Sequence, residues 1–378
     1  MAKYVLIPDS FKGSLSAAQV CEIMRNAILA VEPDAAVRMI PVADGGEGTV
    51  DAFLRAAGGE RVSVSVHGPY GEAIIACYGR LNARTAVVEM AAAAGLPLVG
   101  NRKNPEETTT AGVGELIAHA VEHGATEVIL GLGGSATNDG GCGMAAALGV
   151  RFTDAAGRSF VPVGGTLGRI AAVDASPARE RLKGCRLRVM CDIDNPLCGP
   201  EGAAFVFAPQ KGADEAMARR LDRGLCHLAK IVRRDLHTDI FSLPGAGAAG
   251  GMGGGAVAFL GGQLQMGIDT VLDTVGFPEQ IRDASLIFTG EGRLDGQSAR
   301  GKVVAGVARR AAGYGKPVIA VVGGIAEDAD ALYAQGLTAA FSINRLPMAL
   351  QQALEHSESN LYRTVQDILR CWKAAAGA

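Results

Sequence analysis

Five glycine-containing loops hold most of the residues whose types and spacing could do chemistry. In sequence order, the loops span residues 8–17, 41–49, 131–141, 191–199 and 289–302. Each combines glycines with hydroxyl, carboxylate, amide or cationic side chains. Backbone amides in such loops bind anions, lysine and arginine offset oxygen charge, and carboxylates hold hard cations such as Mg²⁺. Together these groups are the ones that transfer of a phosphoryl group requires.

The first loop, residues 8–17, leaves a predicted strand and enters a predicted helix, with a capping-box pattern at residues 16–19. A helix N-terminus offers unpaired N–H groups and a positive dipole end, and both attract anions. Ser10, Lys12 and Ser14 add hydroxyls and a positive charge. We predict that these residues bind an anionic ligand; the alternative is an ordinary capped turn with the lysine in solvent.

The second loop, residues 41–49, places Asp44 and Glu47 on either side of a Gly-Gly pair, ahead of a second predicted helix. Their carboxylates could hold Mg²⁺ or orient a substrate hydroxyl. Asp44 could equally cap the helix, because aspartate is favoured at that position. The residues alone favour neither interpretation.

The third loop, residues 131–141, follows a predicted buried strand. Residues 131–136 formally match a variant of the dinucleotide-binding fingerprint, GxGxxA. A similar pattern recurs at residues 245–250 without a convincing strand before it, so the match is a weak indication. What remains is an amide-rich loop suited to phosphates. Its candidate binding residues are Gly133, Gly134, Ser135, Asn138 and Asp139.

The fourth loop, residues 191–199, follows another predicted strand and contains Asp192 and Asn195. Open α/β sheets bind their ligands at the carboxyl ends of the strands, which is where these side chains are expected. Lys211 follows just before a long predicted helix. We predict that these three residues contact substrate or nucleotide; a plain surface loop is the alternative.

The fifth loop, residues 289–302, is the richest in charge. Its segment 296–302 is close to a P-loop, but Val303 stands where a serine or threonine would bind Mg²⁺. We therefore reject a true P-loop. The mixture of carboxylates and cations still fits phosphoryl transfer. The candidate metal ligands are Glu291 and Asp295, and the candidate partners of phosphate oxygens are Arg293 and Lys302.

The segments that flank these loops predict an α/β fold. Near both chain ends, short apolar runs alternate with stretches of helical periodicity, which is typical of parallel strands joined by helices. Between residues 62 and 90, strand-like runs follow one another, which favours a mixed or antiparallel sheet. Residues 202–208 also predict a strand. The simplest architecture is a doubly wound parallel-sheet domain built from both chain ends, with a mixed α/β domain inserted.

The domain boundaries follow from this change of pattern. We place the first domain at residues 1–60 and 266–378 and the inserted domain at 61–265. The helix–strand unit at 104–133 fits either domain. Because domain interfaces are favoured places for small-molecule sites, we expect the active site in the cleft between the two.

Composition excludes several classes of function. The net charge is −3, from 36 basic and 39 acidic residues, and no basic tract stands out, so neither nucleic acid nor a membrane is an expected partner. The 8 cysteines contain no CxxC pair and fit neither a zinc site nor a disulfide scaffold. The N-terminal segment lacks the apolar stretch of a signal peptide, so we expect a cytoplasmic protein. A homo-oligomer is compatible with the sequence.

Seven motifs resemble, in their order along the chain, those of the type-1 glycerate kinase family. They are PDSFKGSLSA, PVADGGEGT, NPEETTTAGVGELI, GLGGSATNDGG, CDIDNPLCG with APQKGA, PGAGAAGG and TGEGRLDGQSARGK. The resemblance covers essentially the whole chain. It implies ATP-dependent phosphorylation of glycerate with Mg²⁺ and a flavodoxin-like domain beside an inserted second domain. The product that it leads us to expect is 2-phosphoglycerate.

Within such a reaction, we expect Asp192 to orient or deprotonate the attacking hydroxyl, with Asp44 as the second candidate. Glycerate is itself an anion, so at least one cation should face its carboxylate. Lys12, Arg293 or Lys211 would offset the charge of that carboxylate or of the phosphates.

Two other functions compete with this interpretation. An NAD-dependent hydroxy-acid dehydrogenase would use the fingerprint match at 131–136, with Asp154 about 20 residues further on. It lacks a convincing catalytic histidine. A sensor that binds a sugar acid without turnover would leave the density of charged residues in the loops unexplained.

Overall fold

The computed structural model describes residues 1–43, 45–296, 298 and 301–376, which divide into two compact units. The first unit comprises Met1–Ala43, Arg55–Ala57 and Met266–Ala378, and the second comprises Asp44–Leu54 and Gly58–Gln265. Each unit contains a sheet with helices packed on it, so the α/β class predicted from the sequence is confirmed. Among the described residues, no helix combines the length and the apolar character needed to span a membrane.

Strands and helices are numbered separately in chain order. The strands are β1 Lys3–Pro8, β2 Ala36–Met39, β3 Glu60–His67, β4 Ala73–Arg80, β5 Thr85–Glu89, β6 Glu127–Gly131, β7 Arg151–Thr153, β8 Ala172–Asp174, β9 Arg186–Met190, β10 Gln263–Gln265, β11 Leu286–Gly290, β12 Arg293–Leu294, β13 Val318–Val322, β14 Gly324–Ile325 and β15 Ala339–Ser342. The α-helices are α1 Ala17–Val31, α2 Thr49–Ala57, α3 Ala91–Ala94, α4 Leu96–Val99, α5 Ala111–Glu122, α6 Cys142–Ala147, α7 Ser176–Arg181, α8 Ala203–Phe207, α9 Glu215–Leu236, α10 Ala248–Leu260, α11 Gly267–Thr274, α12 Phe277–Ile281, α13 Val303–Ala312, α14 Leu350–Glu355 and α15 Ser357–Ala376. Short 3₁₀-helices span Gly164–Arg169, Pro209–Lys211 and Glu327–Gln335.

The main sheet of the first unit is parallel throughout, in the order β15-β13-β11-β1-β2. Counted along this unit alone, the order is 2-1-3-4-5, which is the flavodoxin-like arrangement. The strand order reverses between β1 and β11, which pair from Tyr4–Leu286 to Pro8–Gly290. In open α/β sheets, ligands bind outside the carboxyl ends of the strands at such a switch point.

Helix α1 shows how local sequence determines an element of this unit. Ser16 Oγ accepts a hydrogen bond from the Gln19 N–H at 3.3 Å, and Gln19 Oε1 accepts one from the Ser16 N–H at 2.9 Å. This is the predicted capping box. Behind it, Val20, Met24 and Ile28 are buried in the cluster that joins α1 to α15.

The second unit contains a mixed sheet in the order β10-β9-β6-β5-β4-β3. Strands β10, β9, β6 and β5 are parallel, and β4 and β3 are antiparallel to their neighbours. The carboxyl ends of β5, β6 and β9, at Glu89, Gly131 and Met190, therefore lie along one edge. The unit at 104–133 contributes α5 and β6 here.

The predicted strand at residues 202–208 is wrong, because these residues form helix α8. Ala204 and Ala208 are buried with Leu221 of α9, whereas Val206 is 45% exposed. This burial follows one face of a helix and does not alternate as in a strand. A short apolar run cannot be assigned from periodicity alone, because a buried strand and a buried helical turn give the same pattern.

The glycine-rich stretch at 244–255 packs tightly inside the second unit. Ala249, Gly250 and Gly251 have φ values of 54°, 67° and 91°, so helix α10 is kinked near its start. A Cβ atom added to Gly250 would lie 2.0 Å from the Thr137 carbonyl oxygen. The glycines thus let this backbone contact the third loop directly.

Candidate active site

In the first unit, the loops that follow β1 and β11 lie side by side at the switch point of the sheet. The Asp9 N–H donates to the Gly290 carbonyl at 2.8 Å. A Cβ atom added to Gly292 would lie 3.3 Å from the backbone nitrogen of Lys12, which leaves little room for a side chain. The structure thus brings the first and fifth predicted loops together.

Glu291 is the buried carboxylate of this edge. It is 6% exposed, and its Oε1 atom has no hydrogen-bond partner among the described residues. Burial raises the pKa of Glu291 to about 7, against the opposing effects of a hydrogen bond from Ser298 and the charge of Lys302. Such a carboxyl group can exchange a proton or bind a cation near neutral pH.

The other charged candidates of the fifth loop are more exposed. Arg293 has an exposed side chain 4.0 Å from the Asp295 carboxylate. The Asp295 N–H donates to Ser298 Oγ at 3.2 Å, and the Ser298 N–H donates to Asp295 Oδ1 at 3.3 Å. Lys302 is half-buried immediately before α13. The Asp295–Ser298 turn therefore fixes the loop that carries these charges.

The first loop presents its cation to solvent. Lys12 is exposed, and its ammonium group has no hydrogen-bond or ion-pair partner among the described residues. Ser10 and Ser14 are half-buried. The Ser10 N–H donates to Asp9 Oδ1 at 2.6 Å, and Ser14 Oγ lies 3.5 Å from the Leu354 carbonyl, which makes at most a weak hydrogen bond. Lys12 is therefore available to a ligand.

In the second unit, the second predicted loop closes onto the third at the carboxyl edge of the sheet. The Gly133 N–H donates to the Gly45 carbonyl at 2.8 Å. A Cβ atom added to Gly133 would lie 2.4 Å from Gly46 Cα, and one added to Gly131 would lie 2.5 Å from the Gly45 carbonyl oxygen. Neither position has room for a side chain, so this approach explains why glycine occupies both.

Glu89, at the end of β5, fixes this second loop, a role that the loop motifs do not indicate. Its buried carboxylate accepts hydrogen bonds from the backbone N–H groups of Val50 and Gly48. Burial raises the pKa of Glu89, and these hydrogen bonds oppose the change. The available signal was a carboxylate at the end of an otherwise apolar strand. Of the predicted residues here, Glu47 is exposed and Asp44 lies outside the described residues.

Lys211, predicted from the sequence to contact substrate or nucleotide, is buried against the third loop. It is 1% exposed, and its Nζ donates to Ser135 Oγ and to the Thr137 carbonyl, each at 2.7 Å. Burial lowers the pKa of Lys211 to about 7, against the opposing charge of Asp139. Lys211 therefore holds the shape of the loop that contains Ser135.

Asp139 is inaccessible to solvent, and both of its carboxylate oxygens accept hydrogen bonds. Oδ2 accepts from the Thr110 N–H at 2.9 Å, from Thr110 Oγ1 at 2.8 Å and from the Gly143 N–H at 3.1 Å, and Oδ1 accepts from the Gly141 N–H at 3.0 Å. Burial raises the pKa of Asp139, and these donors oppose the change. The carboxylate thus joins the loop to the starts of α5 and α6.

Asn138 and Thr137 carry polar groups that no other described residue satisfies. Both residues are fully buried, and the Asn138 side-chain amide and Thr137 Oγ1 have no hydrogen-bond partner among the described residues. Buried polar groups are nearly always paired, so an unpaired cluster marks a place that a ligand or water completes. These groups lie in the third loop, whose shape Lys211 and Asp139 maintain through their hydrogen bonds.

The fourth loop continues the same edge. Met190, at the end of β9, pairs with Gly131, so Asp192 follows at the edge where the third loop begins. Asp192 is exposed. Asn195 is hydrogen-bonded within the chain, because its Nδ2 donates to the Glu201 carbonyl at 2.8 Å and its backbone carbonyl accepts from the Gly247 N–H at 3.1 Å.

The fingerprint-like segment at 131–136 does not open a helix. Residues 132–141 form loop and turns, and α6 begins only at Cys142. A dinucleotide fingerprint needs its glycines at the junction of a strand with the first turn of a helix, where the pyrophosphate binds. The geometry therefore does not support the NAD-dependent alternative.

Comparison with known proteins identifies the same family as the motifs. The model of the glycerate kinase family matches residues 4–373. A glycerate kinase from Bacillus cereus is 47% identical over 376 residues, covering 99% of each chain. A glycerate 2-kinase from Escherichia coli K12 is 45% identical over 368 residues, covering 97% of each chain. A crystal structure from Salmonella typhimurium LT2, solved as a candidate glycerate kinase 2, superposes over the whole of both chains with a TM-score of 0.86 at 44% identity. The resemblance predicted from the motifs is confirmed, and the chain belongs to the glycerate kinase family.

Proposed function

We propose that this protein transfers the γ-phosphate of ATP to the 2-hydroxyl of glycerate, with Mg²⁺ as cofactor. The observation that carries the proposal is the family match over residues 4–373. The name glycerate 2-kinase of the Escherichia coli relative supports the position of transfer. The chemistry of the loops supports the kind of reaction, since phosphoryl transfer depends on placement and on neutralising charge.

The donor groups of the fifth loop fit Mg²⁺. This ion takes oxygen ligands and is usually held by one or two carboxylates together with substrate phosphates. Glu291 offers a buried oxygen that is unpaired among the described residues, and Asp295 lies in the same loop. We propose that these two carboxylates hold the ion, which when bound would neutralise charge on the phosphates.

Positive charge for the anionic reactants comes from the exposed cations of the first unit. Lys12 and Arg293 are exposed at the ends of neighbouring strands, so they can exchange water for phosphate or carboxylate oxygens. Lys302 precedes α13, whose first-turn N–H groups also favour an anion. Ser10 and Ser14 supply hydroxyl groups beside Lys12.

The third loop supplies neutral hydrogen-bonding groups. Gly133, Gly134 and Ser135 lie in a backbone whose shape Lys211 fixes through Ser135 and Thr137. The side-chain amide of Asn138, which has no partner among the described residues, has donors and an acceptor that a nucleotide or substrate group would pair. Groups fixed before the ligand binds need no reorganisation during reaction, which is the basis of electrostatic catalysis.

Asp192 is our candidate for the residue that orients the attacking hydroxyl or accepts its proton. It is exposed immediately beyond β9, at the edge where the third loop begins. A carboxylate in that role must come within hydrogen-bond reach of the hydroxyl. Asp44 stays the second candidate.

Phosphorus NMR of the products from ATP, Mg²⁺ and D-glycerate tests the activity and the position together. We expect 2-phosphoglycerate, and ADP release that requires glycerate. Formation of 3-phosphoglycerate would contradict the 2-position. Binding of glycerate without product would identify a sensor, and reduction of NAD⁺ by glycerate would identify a dehydrogenase.

Substitution of Asp192 tests its role. We expect Asp192→Asn to lower kcat by on the order of 100-fold, the usual contribution of a positioned base, with unchanged thermal unfolding. Asp194→Asn is the matched control, since Asp194 is an exposed aspartate of the same loop. Full turnover by Asp192→Asn would remove this residue from the mechanism.

A further inference from the structure

The second unit contains a cluster of metal-ligand side chains that the proposed reaction does not use. Cys198 Sγ, Cys226 Sγ and a carboxylate oxygen of Asp222 all lie within 4.8 Å of one another. Ligand atoms around a tetrahedral zinc ion are roughly 3.3–3.8 Å apart, as metal–ligand bonds of about 2.0–2.3 Å require. The three atoms therefore need side-chain shifts of no more than about 1 Å to reach the separations that one ion needs.

Two structural elements hold the three side chains in place. Asp222 and Cys226 are four residues apart on α9, so they share a face of that helix. The Gly199 N–H donates to Asp222 Oδ1 at 2.7 Å, which ties the end of the fourth loop to α9. A Cβ atom added to Gly202 would lie 2.4 Å from Cys198 Cα, so a tight turn fixes Cys198. The packing of the chain itself thus brings the three ligand groups together.

The three side chains differ in their access to solvent. Cys198 is 4% exposed. Burial, followed by a hydrogen bond with Cys226, raises the pKa of the Cys198 thiol, and the charge of Lys230 opposes the change. Because the metal ligand is the thiolate, a bound ion must displace the proton of Cys198, and the affinity of the site is expected to rise with pH. Cys226 and Asp222 are half-buried, which leaves a path for an ion.

We propose that Cys198, Asp222 and Cys226 form a binding site for a thiophilic divalent cation of the zinc class. Binding replaces both thiol protons by metal–sulfur bonds, adds one metal–oxygen bond to Asp222, and leaves the fourth position to water. The sulfur ligands distinguish this site from the oxygen ligands of Glu291 and Asp295, which suit Mg²⁺. A bound ion would join the fourth loop, which carries Asp192, to α9.

Titration of the reduced, metal-free full-length protein with Co²⁺ tests the proposal. We expect the absorption of a tetrahedral cobalt–thiolate complex, which saturates at one ion per chain and disappears when Zn²⁺ is added. Cys198→Ser and Cys226→Ser should each weaken binding by on the order of 100-fold, and Asp222→Asn by about tenfold. Cys371→Ser is the matched control, because it removes an exposed cysteine of the first unit and should leave the affinity unchanged.

Proton release gives an independent measurement. Zn²⁺ added to the wild type in weakly buffered solution should release close to two protons per ion, and Asp222→Asn should release the same number at higher Zn²⁺. Circular dichroism of each metal-free variant checks folding, and the partly exposed Asp222 still provides a test if a cysteine variant fails to fold. Absence of the cobalt–thiolate absorption when Co²⁺ is added to the reduced wild type would overturn the site. The same would follow if the Cys198→Ser/Cys226→Ser double variant absorbed as strongly as the wild type. Isolation of the chain under reducing conditions with an intact Cys198–Cys226 disulfide would overturn it as well.

Discussion

The two sheet edges that carry the candidate residues differ in how far the polar side chains compared below are exposed to solvent. At the edge of the first unit, Lys12 and Arg293 are exposed. At the edge of the second, Lys211 is 1% exposed, and Asp139 and Asn138 are inaccessible to solvent. The first edge leaves these cations in solvent, whereas the second buries Lys211 and Asp139, whose hydrogen bonds hold a loop in shape.

This difference separates two ways in which a polar residue can serve a site. An exposed cation stays hydrated until a ligand arrives, so it contributes to binding and little to folding. A buried polar group that is hydrogen-bonded within the folded chain contributes to folding, because leaving its partners unpaired is costly. Measurements of unfolding and of turnover on the same variants should therefore distinguish the two edges.

The largest expected effect comes from Lys211→Met. The change leaves Ser135 Oγ and the Thr137 carbonyl without their donor and removes the positive charge near the buried Asp139. We expect the free energy of unfolding to fall by about 3 kcal/mol and turnover to be lost, since breaking a buried charged network leaves its partners uncompensated. Denaturant titration and steady-state kinetics measure the two effects. Wild-type stability in this variant would show that the loop does not depend on Lys211.

Lys12→Met should separate activity from stability. We expect kcat/KM to fall on the order of 100-fold, as for other removed charge-stabilising groups, while the free energy of unfolding changes by less than about 0.5 kcal/mol. Lys183→Met is the control, because this lysine is also exposed and contacts only the exposed Glu180 in its salt bridge. A loss of stability matching that of Lys211→Met would erase the contrast between the two edges.

Glu291 is a buried residue at the first edge. Its titration tests whether a group's effect on stability depends on its burial or on the edge where it lies. Its pKa is raised from 4.5 to about 7, so between these values the folded chain binds the proton that the unfolded chain has released. Its contribution to stability is therefore complete below pH 4.5 and is lost as the pH rises towards 7.

The expected size of this loss by pH 7, relative to Glu291→Gln, is about 3 kcal/mol, since the pKa rises from 4.5 to about 7 and each pKa unit corresponds to ~1.36 kcal/mol. Urea unfolding with a chelator present, repeated across this pH range, measures it. Glu279→Gln, at an exposed position of the same unit, should follow the wild type. Parallel curves for wild type and Glu291→Gln would contradict the raised pKa.

The parts of the site that were predictable from sequence depend on neighbouring residues. Glycines beside charged residues at the ends of apolar runs indicated the loops, and the Ser16–Gln19 capping box is local as well. The alternation of strands and helices then predicted a parallel sheet. Parallel strands place their carboxyl ends on one edge, so the loops that follow them lie together. The proximity of Lys12 and Gly292 is a consequence of that rule, since each follows a strand of the same parallel sheet.

Features that depend on distant packing could not be predicted in this way. Lys211 is buried where its segment packs closely against a distant part of the chain. At the next residue, Gly212, an added Cβ atom would lie 2.5 Å from the Lys103 carbonyl oxygen. Glu89 gains its role only because β5 ends beside a loop from another part of the chain. Cys198 and Cys226 belong to a loop and a helix whose approach no spacing rule describes.

The smallest effect is expected from Asn138→Leu. This variant tests whether the buried amide, which has no partner among the described residues, serves a ligand. Asn138→Leu replaces a buried amide, unpaired among the described residues, by an apolar side chain of similar size. Removing unpaired polar groups should raise the free energy of unfolding by about 1 kcal/mol or leave it unchanged. If the amide serves a ligand, kcat/KM should fall by about tenfold, the loss expected for one hydrogen bond of ~1.4 kcal/mol.

Asn360→Leu is the matched control, since Asn360 is buried on α15 with an unpaired Nδ2 among the described residues. It should change stability as Asn138→Leu does and leave kinetics intact. Equal kinetics in the two variants would mean that Asn138 has no ligand. A lower stability in Asn138→Leu alone would mean that ordered water pairs the amide in the free protein, and a water molecule would then take the place that we give to the nucleotide or substrate.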